Sequence, residues 1–144
     1  MRILINYFIK EDGLILAIIY NLEDVILISV GAILGANIRF LIYNKLQKIN
    51  VSKNYIILVI NTFSSFLLGL FLSNLHRIAF LSYSYKLVLF FSIGLLGSFS
   101  TFSTFIYDLY QLFIQLKFYR ALKLFIISLT AGILSFAVGF SIGM

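Results

Sequence analysis

Polar side chains interrupt the long apolar stretches of this sequence, and they are of types that can surround an ion. Asn61 lies in the middle of one stretch, and Arg39 lies near the end of another. A third stretch, residues 94–105, contains two glycines and five hydroxyl residues. Amide, guanidinium and hydroxyl groups all donate hydrogen bonds. These residues could therefore replace water around a small anion or a polar solute.

The sequence offers no set of residues for covalent or acid–base catalysis. His76, the one histidine, lies between two apolar stretches without a nucleophile and base beside it. There is no cysteine, which excludes disulfides and thiolate metal sites. We therefore expect a protein that is not an enzyme.

The composition is that of a membrane protein. Of the 144 residues, 62% are hydrophobic and only 11% are charged. A soluble domain of this size could not cover so much apolar surface, because its surface-to-volume ratio is too high. The net charge of +6 comes from basic residues between the apolar stretches, where lysine and arginine normally meet lipid headgroups. We therefore expect a lipid bilayer, and no nucleic acid, around this chain.

Four apolar stretches are long enough to cross about 30 Å of hydrocarbon as helices. They cover residues 25–43, 55–75, 87–107 and 124–143. They are continuously apolar, whereas the strands of membrane barrels are short and alternate. The predicted fold class is therefore an all-α integral membrane protein with four transmembrane helices. In residues 1–24 the apolar run Leu14–Tyr20 is too short to span and is bracketed by acidic residues, so we predict an interfacial or flexible N-terminal extension.

The distribution of basic residues bears on orientation. The loops after the first and third spans hold the larger share: Lys45, Lys48, Lys53, Lys117, Arg120 and Lys123. The opposite side holds Arg2, Lys10, Arg77 and Lys86. The positive-inside rule favours external termini, but the difference is modest and leaves insertion in both orientations open.

Small and polar residues recur on one face of the first helix. Gly31, Gly35 and Arg39 follow at intervals of four, a spacing that lets another helix approach closely. Arg39 has two interpretations: it reaches to the headgroups, or it faces an aqueous vestibule and attracts anions.

The second and fourth helices carry similar faces. In the second, the face consists of Asn61, Ser64, Ser65 and Gly69; in the fourth, it consists of Ser128, Gly132, Ser135 and Gly139. Such faces serve interhelical packing or ion contact. Packing is the favoured interpretation for Gly132 and Gly139, whereas both remain open for Asn61 and Ser135.

The third helix is predicted to break in mid-membrane. Glycine weakens a helix, and serine and threonine can bond the backbone groups that a break leaves open. Such breaks persist at membrane depth only where protein or water covers them, and they often coordinate ions.

These segments together resemble the Fluc (CrcB) family of fluoride channels. Residues 97–105, Gly-Ser-Phe-Ser-Thr-Phe-Ser-Thr-Phe, are similar to the family's Gly-Gly-x-Thr-Thr-Phe-Ser-Thr-Phe. Residues 35–39 are similar to its Gly-x-x-x-Arg, and residues 61–69 to its Asn-x-x-Gly-Ser-x-x-x-Gly. The resemblance runs from about residue 26 to the last residue. The chain departs from the pattern at Ser98 and Ser64, where the family has glycine, and at Ser100, where it has threonine.

The resemblance implies a passive, fluoride-specific channel of the cell inner (plasma) membrane that relieves fluoride toxicity. It implies an antiparallel, dual-topology dimer with two narrow pores and a structural sodium ion at its centre. The partner would be an identical chain, or a related chain of opposite orientation.

The resemblance also implies roles for individual residues. The fluoride path would use Asn61, Phe102, Phe105, Ser103 and Thr104, to which we add Ser135. Arg39 would lie at a vestibule, and sodium would be held by the backbone carbonyls of Gly97 and Ser100. We expect unusual backbone angles at Gly97, so that valine would be disruptive there, while Ser100→Ala keeps its carbonyl and should be mild.

Two alternatives belong to other classes. A small four-helix, dual-topology exporter would need a membrane-embedded carboxylate to exchange protons. The four predicted spans contain no Asp or Glu, because Asp108 falls just past the third, and this argues against the exporter. A non-transporting membrane assembly protein is the other alternative, and fluoride efflux from liposomes would separate it from a channel.

Overall fold

The computed structural model describes the backbone of residues 2–49, 52–78 and 83–144, and the side chains of residues 22–49, 52–75 and 83–144. All regular secondary structure within these ranges is helical. Helix α1 covers Arg2–Gln47 and α2 covers Lys53–Ile78. Helix α3 covers residues 84–99 in three continuous parts: Ser84–Leu87, the π-helical Val88–Leu96, and Gly97–Phe99. Helix α4 covers Phe102–Ile114 and α5 covers Phe118–Gly143.

Four helical segments are long and apolar enough to cross a membrane, which confirms the predicted fold class. They are Leu22–Gln47, Lys53–Leu75, Ser84–Ile114 and Phe118–Gly143, and each contains one predicted span. The third consists of α3 and α4, which meet at the predicted break. Helix α1 begins at Arg2, but the side chains of residues 1–21, including Arg2 and Lys10, and those of His76 and Arg77, lie outside the described residues. The interfacial assignment of the extension therefore stays a prediction.

The first and third spans run side by side, in the same direction. A Cβ added at Gly31 would lie 2.5 Å from the carbonyl oxygen of Phe90 and 3.1 Å from the Cα of Gly94. One turn on, a Cβ at Gly35 would collide with the carbonyl of Leu95. The spacing of four in α1 is therefore a packing face against α3, as predicted.

The second and fourth spans form the other tightly packed pair. A Cβ at Gly69 would collide with the carbonyl of Phe136, and one at Gly139 with the carbonyl of Phe66. The predicted packing role of Gly139 is confirmed. Gly132 also faces α2, but less tightly, because the nearest atom that a Cβ would meet is Ser65 Oγ at 3.6 Å, an ordinary contact.

The two pairs meet around a small apolar core next to the break. Ile56 and Ile60 of α2 are almost fully buried against Phe99, the last residue of α3. The ring of Phe63 meets that of Phe99 edge to face, with centroids 6.4 Å apart. Because Phe99 immediately precedes the break, this core fixes the position of the break in the bundle.

Candidate functional site at the helix break

The break in the third span lies at Ser100 and Thr101. Both residues are extended, with φ −68° and ψ 158° at Ser100 and φ −138° and ψ 107° at Thr101. Gly97 is helical, at φ −62° and ψ −38°, so the unusual backbone angles predicted for it are wrong. Ser98 also lies within the helical Gly97–Phe99, and its Cβ is compatible with that conformation.

The break leaves a run of carbonyls, from Gly97 to Ser100, without a backbone donor. In a continuous helix the Gly97 carbonyl would accept from Thr101 N–H, and the Ser100 carbonyl from Thr104 N–H. Instead, Thr101 N–H donates to Asn61 Oδ1 at 2.8 Å, and Thr104 N–H donates to Thr101 Oγ1 at 3.4 Å. The oxygens of Gly97 and Ser100, the two predicted sodium ligands, are therefore among those that lose their helical donors; their role as ligands stays a prediction.

Asn61 bridges α2 to the break through both sides of its amide. While Oδ1 accepts the Thr101 N–H, Nδ2 donates to the Thr101 carbonyl at 3.2 Å. The pairing imitates that of an extended strand, and it explains how Thr101 keeps an extended backbone inside a helical bundle. One hydrogen of the Asn61 amide is left over for another acceptor.

Thr101 was missed by the sequence analysis, although it organises the start of α4. Its Oγ1 accepts the Thr104 N–H and lies 2.8 Å from Thr104 Oγ1, which is the bonding of a helix N-cap. The signal in the sequence is a threonine three positions before another hydroxyl residue, at the start of an amphipathic segment.

Two further side chains hold the break from neighbouring helices. Arg39 Nη1 donates to the Ser100 carbonyl at 3.2 Å, so the guanidinium turns inward and does not reach to the headgroups. Ser64 Oγ donates to the buried carbonyl of Leu96 at 3.2 Å. The serine that stands where the family has glycine therefore bonds the backbone one turn before the break.

A cavity of about 240 Å³ lies beside the break, between α1, α2 and α4. Arg39 and Lys53 line it together with the hydroxyl residues Thr101 and Thr104. The cavity thus combines two cations with neutral hydrogen-bonding groups. Arg39 and Thr104, predicted for the vestibule and for the fluoride path, belong to this one space.

The other predicted path residues do not line this cavity. Phe102 is 75% exposed, and Ser103 beside it is exposed as well. The Phe105 ring lies 6.4 Å from that of Phe102 and stacks on Phe125 of α5, also at 6.4 Å. Ser135 lines a separate groove between α2 and α5. The single chain therefore leaves Phe102 and Ser103 exposed, and it places Phe105 and Ser135 half-buried outside this cavity.

Asp108 lies within the helical segment that contains the third span, which extends past the predicted end at residue 107. Helix α4 continues to Ile114, and the chain turns only where Lys117 N–H bonds the Leu112 carbonyl at 2.9 Å. Asp108 is 7% exposed, and its Oδ1 lies 3.1 Å from Lys53 Nζ. The first span also begins before its predicted start, so that it takes in Glu23 and Asp24 of α1. These two lie at the end of the span, bonded to Lys86 and Tyr85.

Among the described residues, no group of three His, Cys, Asp or Glu side chains is placed to hold a metal ion. A cation at this site would therefore depend on carbonyl and hydroxyl oxygens. The carbonyls at the break are oxygens of that kind that lack a backbone hydrogen bond.

These features define a class: a four-span membrane protein organised around a discontinuous third helix, with a basic cavity beside the discontinuity. Residues 26–140 match the sequence profile of the family described as "CrcB-like protein, Camphor Resistance (CrcB)". The chain belongs to this family.

Three relatives are named as channels. The chain is 57% identical over 122 residues to "Fluoride-specific ion channel FluC 2" of Prochlorococcus marinus (strain NATL2A), covering 85% of this chain and 98% of that one. It is 33% identical to a protein of the same name from a second strain of Prochlorococcus marinus, over 78% of this chain and 86% of the relative. It is also 33% identical to "Fluoride-specific ion channel FluC 1" of Parasynechococcus marenigrum (strain WH8102), over 83% of this chain and 93% of the relative.

Proposed function

We propose that this chain is a passive, fluoride-specific channel, not an enzyme, and that it exports fluoride across the cell inner membrane and so relieves fluoride toxicity. The observation that carries the proposal is the break at Ser100–Thr101, held open by Asn61 and Arg39 beside a basic cavity. The identity of the ion is taken from the names of the relatives, because the geometry by itself specifies only a small anion or polar solute.

The chemistry of the path suits an ion that must enter and leave. Fluoride is strongly hydrated, so its water must be replaced by donors, and the spare Asn61 hydrogen and the hydroxyls of Ser103, Thr104 and Ser135 can provide them. The ring edges of Phe102 and Phe105 carry partial positive charge. Because none of these groups is charged, none should trap the anion, and conduction requires release as well as binding.

The exposed break supports an antiparallel dimer. Gly97, Phe102 and Ser103 are exposed in the single chain, yet a broken helix is tolerated at membrane depth only where protein or water covers its backbone. Lipid cannot bond the Gly97 carbonyl. A second chain on this face, identical or related and of opposite orientation, would cover the break and place two copies of the phenylalanine pair together.

The break also fits a structural sodium ion. The Gly97 carbonyl accepts only from Ser100 Oγ at 3.3 Å, and the Ser100 carbonyl accepts only from Arg39, among the described residues. Unwound carbonyls of this kind coordinate sodium in other membrane proteins. Two carbonyls are few for one ion, but two opposed copies would offer four. In this proposal sodium is coordinated by the exposed carbonyls at the dimer centre and is not transported.

Fluoride efflux from liposomes that contain only this chain tests the proposal. We expect fast, electrically driven fluoride release and no chloride release, whereas protein-free liposomes should retain both ions. Retained fluoride from liposomes with correctly assembled protein would favour a non-transporting assembly protein. Purification in N-methylglucamine instead of sodium should lower the dimer yield, and an unchanged yield would remove sodium from the proposal.

A further inference from the structure

Lys53 and Asp108 form a charge pair at the wall of the cavity that holds Arg39, and the fluoride path described above makes no use of it. Lys53 is the first residue of α2 and lines the cavity. Its Nζ lies 3.1 Å from Asp108 Oδ1 and 4.9 Å from the centre of the Tyr107 ring. The Lys53 side chain is 42% exposed, whereas that of Asp108 is only 8% exposed. The pair is therefore open on the cation side and buried on the anion side.

The helical register places the buried carboxylate in line with the cavity. Thr104 and Asp108 are four residues apart in α4, so they lie on one face of the helix, and Thr101, the N-cap, bonds Thr104 at the start of that face. The two threonines line the cavity, and Asp108 continues the same face behind Lys53. An anion in the cavity would therefore meet the ammonium first and the carboxylate only behind it.

The pair determines the net charge of the cavity. Arg39 and Lys53 would together give it two positive charges, and Asp108 cancels one of them. A charge next to a low-dielectric wall changes the local concentration of anions and their rate of entry. An anion that binds too strongly would leave slowly. One net positive charge in the cavity would therefore attract fluoride without trapping it.

We propose that Asp108 is a positioning residue that fixes Lys53 at the cavity wall, and that the pair sets how strongly the cavity attracts fluoride. This inference rests on the proposed channel function. The opposite reading is that the pair only ties the start of α2 to α4. The two interpretations predict different effects on fluoride efflux. If the pair is only a structural tie, removing either charge breaks it and the rate should change in the same direction. If the pair sets the charge of the cavity, removing Asp108 adds positive charge and removing Lys53 adds negative charge, so the rate should change in opposite directions.

The test compares initial fluoride efflux at low, non-saturating fluoride from liposomes of low and high ionic strength, with large impermeant ions as the salt. Asp108→Asn leaves Lys53 uncompensated and should raise the low-salt rate by about two- to tenfold. Lys53→Gln should lower it, and the double variant K53Q/D108N should return close to the parent rate. All differences should shrink in high salt, because screening weakens the attraction. The parent chain in the same series tests the channel function itself.

Glu23→Gln provides a matched control. It adds the same single positive charge, but at the opposite end of the helices, in the exposed pair of Glu23 with Lys86. It should leave the rate near that of the parent. Dimer yield and thermal unfolding are measured on every preparation.

Lys53→Gln leaves a buried carboxylate without a partner and could fail to assemble. In that case the efflux rates of D108N and K53Q/D108N are compared instead, because neither variant contains an unpaired buried anion. A D108N rate that exceeds the double variant at low salt and converges with it at high salt supports the proposal. Equal rates for these two variants, or losses of the same sign in both single variants, would overturn it while leaving the conducting parent as evidence for a channel.

Discussion

Asn61 bonds the backbone of Thr101 in both directions, so its amide is committed to the break before any ion arrives. Asn61→Asp keeps the acceptor for the Thr101 N–H but sets a carboxylate against the Thr101 carbonyl. We expect a loss of about 1–3 kcal/mol in stability, because a buried acceptor loses its donor. We also expect fluoride efflux to be abolished, because a negative charge now lies where the anion must pass.

Asn61→Gln serves as the control for Asn61→Asp, because it keeps a neutral amide on a longer side chain. Thermal unfolding in detergent and fluoride efflux are measured on the same preparations. Parent-like efflux from a well-assembled Asp variant would mean that Asn61 only holds the break and that the path lies elsewhere.

A substitution at Phe105 can distinguish a role in packing from a role in conduction. Its ring stacks on Phe125 and faces Phe102. Phe105→Ile keeps apolar bulk but removes the aromatic edge, and such changes cost about 1.5 kcal/mol or less when volume is nearly kept. We therefore expect normal dimer yield with strongly reduced fluoride efflux.

Phe113→Ile is the matched control for Phe105→Ile. Phe113 belongs to the same helix and also has an aromatic neighbour, Phe118, with ring centroids 5.6 Å apart, but it lies about two turns from the path. Equal efflux from the two variants would show that neither ring edge contacts the ion.

At the scale of single residues, the sequence located the polar side chains at the break better than it located their hydrogen-bond partners. Asn61 and Arg39 were predicted from their cost at membrane depth, and both lie at the site. That they bond Thr101 and Ser100 depends on the rotation of α1 and α2 about their own axes, which hydropathy does not encode. Thr101 was passed over because a cap in mid-span is recognisable only once the helix is known to stop there.

At the scale of elements, the glycines divide into those that permit close packing and those that do not. Gly139→Ala should cost about 1–3 kcal/mol, because its Cβ would overlap the Phe66 carbonyl and two backbones would have to separate. Gly132→Ala, about two turns away on the same helix, has room and should be neutral or slightly stabilising, because alanine favours helix more than glycine does. Thermal unfolding of the two variants gives the comparison, and equal destabilisation would contradict this packing.

Helix ends were the least predictable elements. Hydropathy placed the end of the third span at residue 107, but the turn bonded from Lys117 to Leu112 places it at Ile114. The difference of about two helical turns brings Asp108 into the same helical segment. A carboxylate paired with Lys53 need not interrupt an apolar helix, and neither partner alone reveals the pair in the sequence. The break itself was predictable as a region from its glycines and hydroxyls, but its position at Ser100–Thr101, past Gly97, was not.

At the scale of the whole molecule, the first span pairs with the third and the second with the fourth, and this pairing leaves Gly97, Phe102 and Ser103 at the break exposed. The glycines fix each pair, and Phe99 with Ile56 and Ile60 joins the pairs. The exposed break contains backbone carbonyls that lipid cannot hydrogen-bond. In the proposed dimer the single chain is half of a site, which would explain why Phe102, Ser103 and Ser135 do not meet within it.

The pairing of Asp108 also determines how transport should be driven. An exporter coupled to protons needs a carboxylate that gains and loses a proton within the membrane. Asp108 is held by Lys53 at 3.1 Å, and Glu23 and Asp24 are bonded at the end of the bundle. We therefore expect a fluoride current whose reversal potential follows the fluoride gradient alone.

The measurement uses planar bilayers with crossed fluoride and proton gradients, both sides kept neutral to alkaline so that little hydrogen fluoride is present to cross the lipid. Asp108→Asn should change the size of the current and leave its reversal potential unmoved, because the variant alters the charge of the cavity and not the driving force. A reversal potential that shifts with the proton gradient in the parent, and loses that shift in Asp108→Asn, would instead make this carboxylate the coupling group of an exporter.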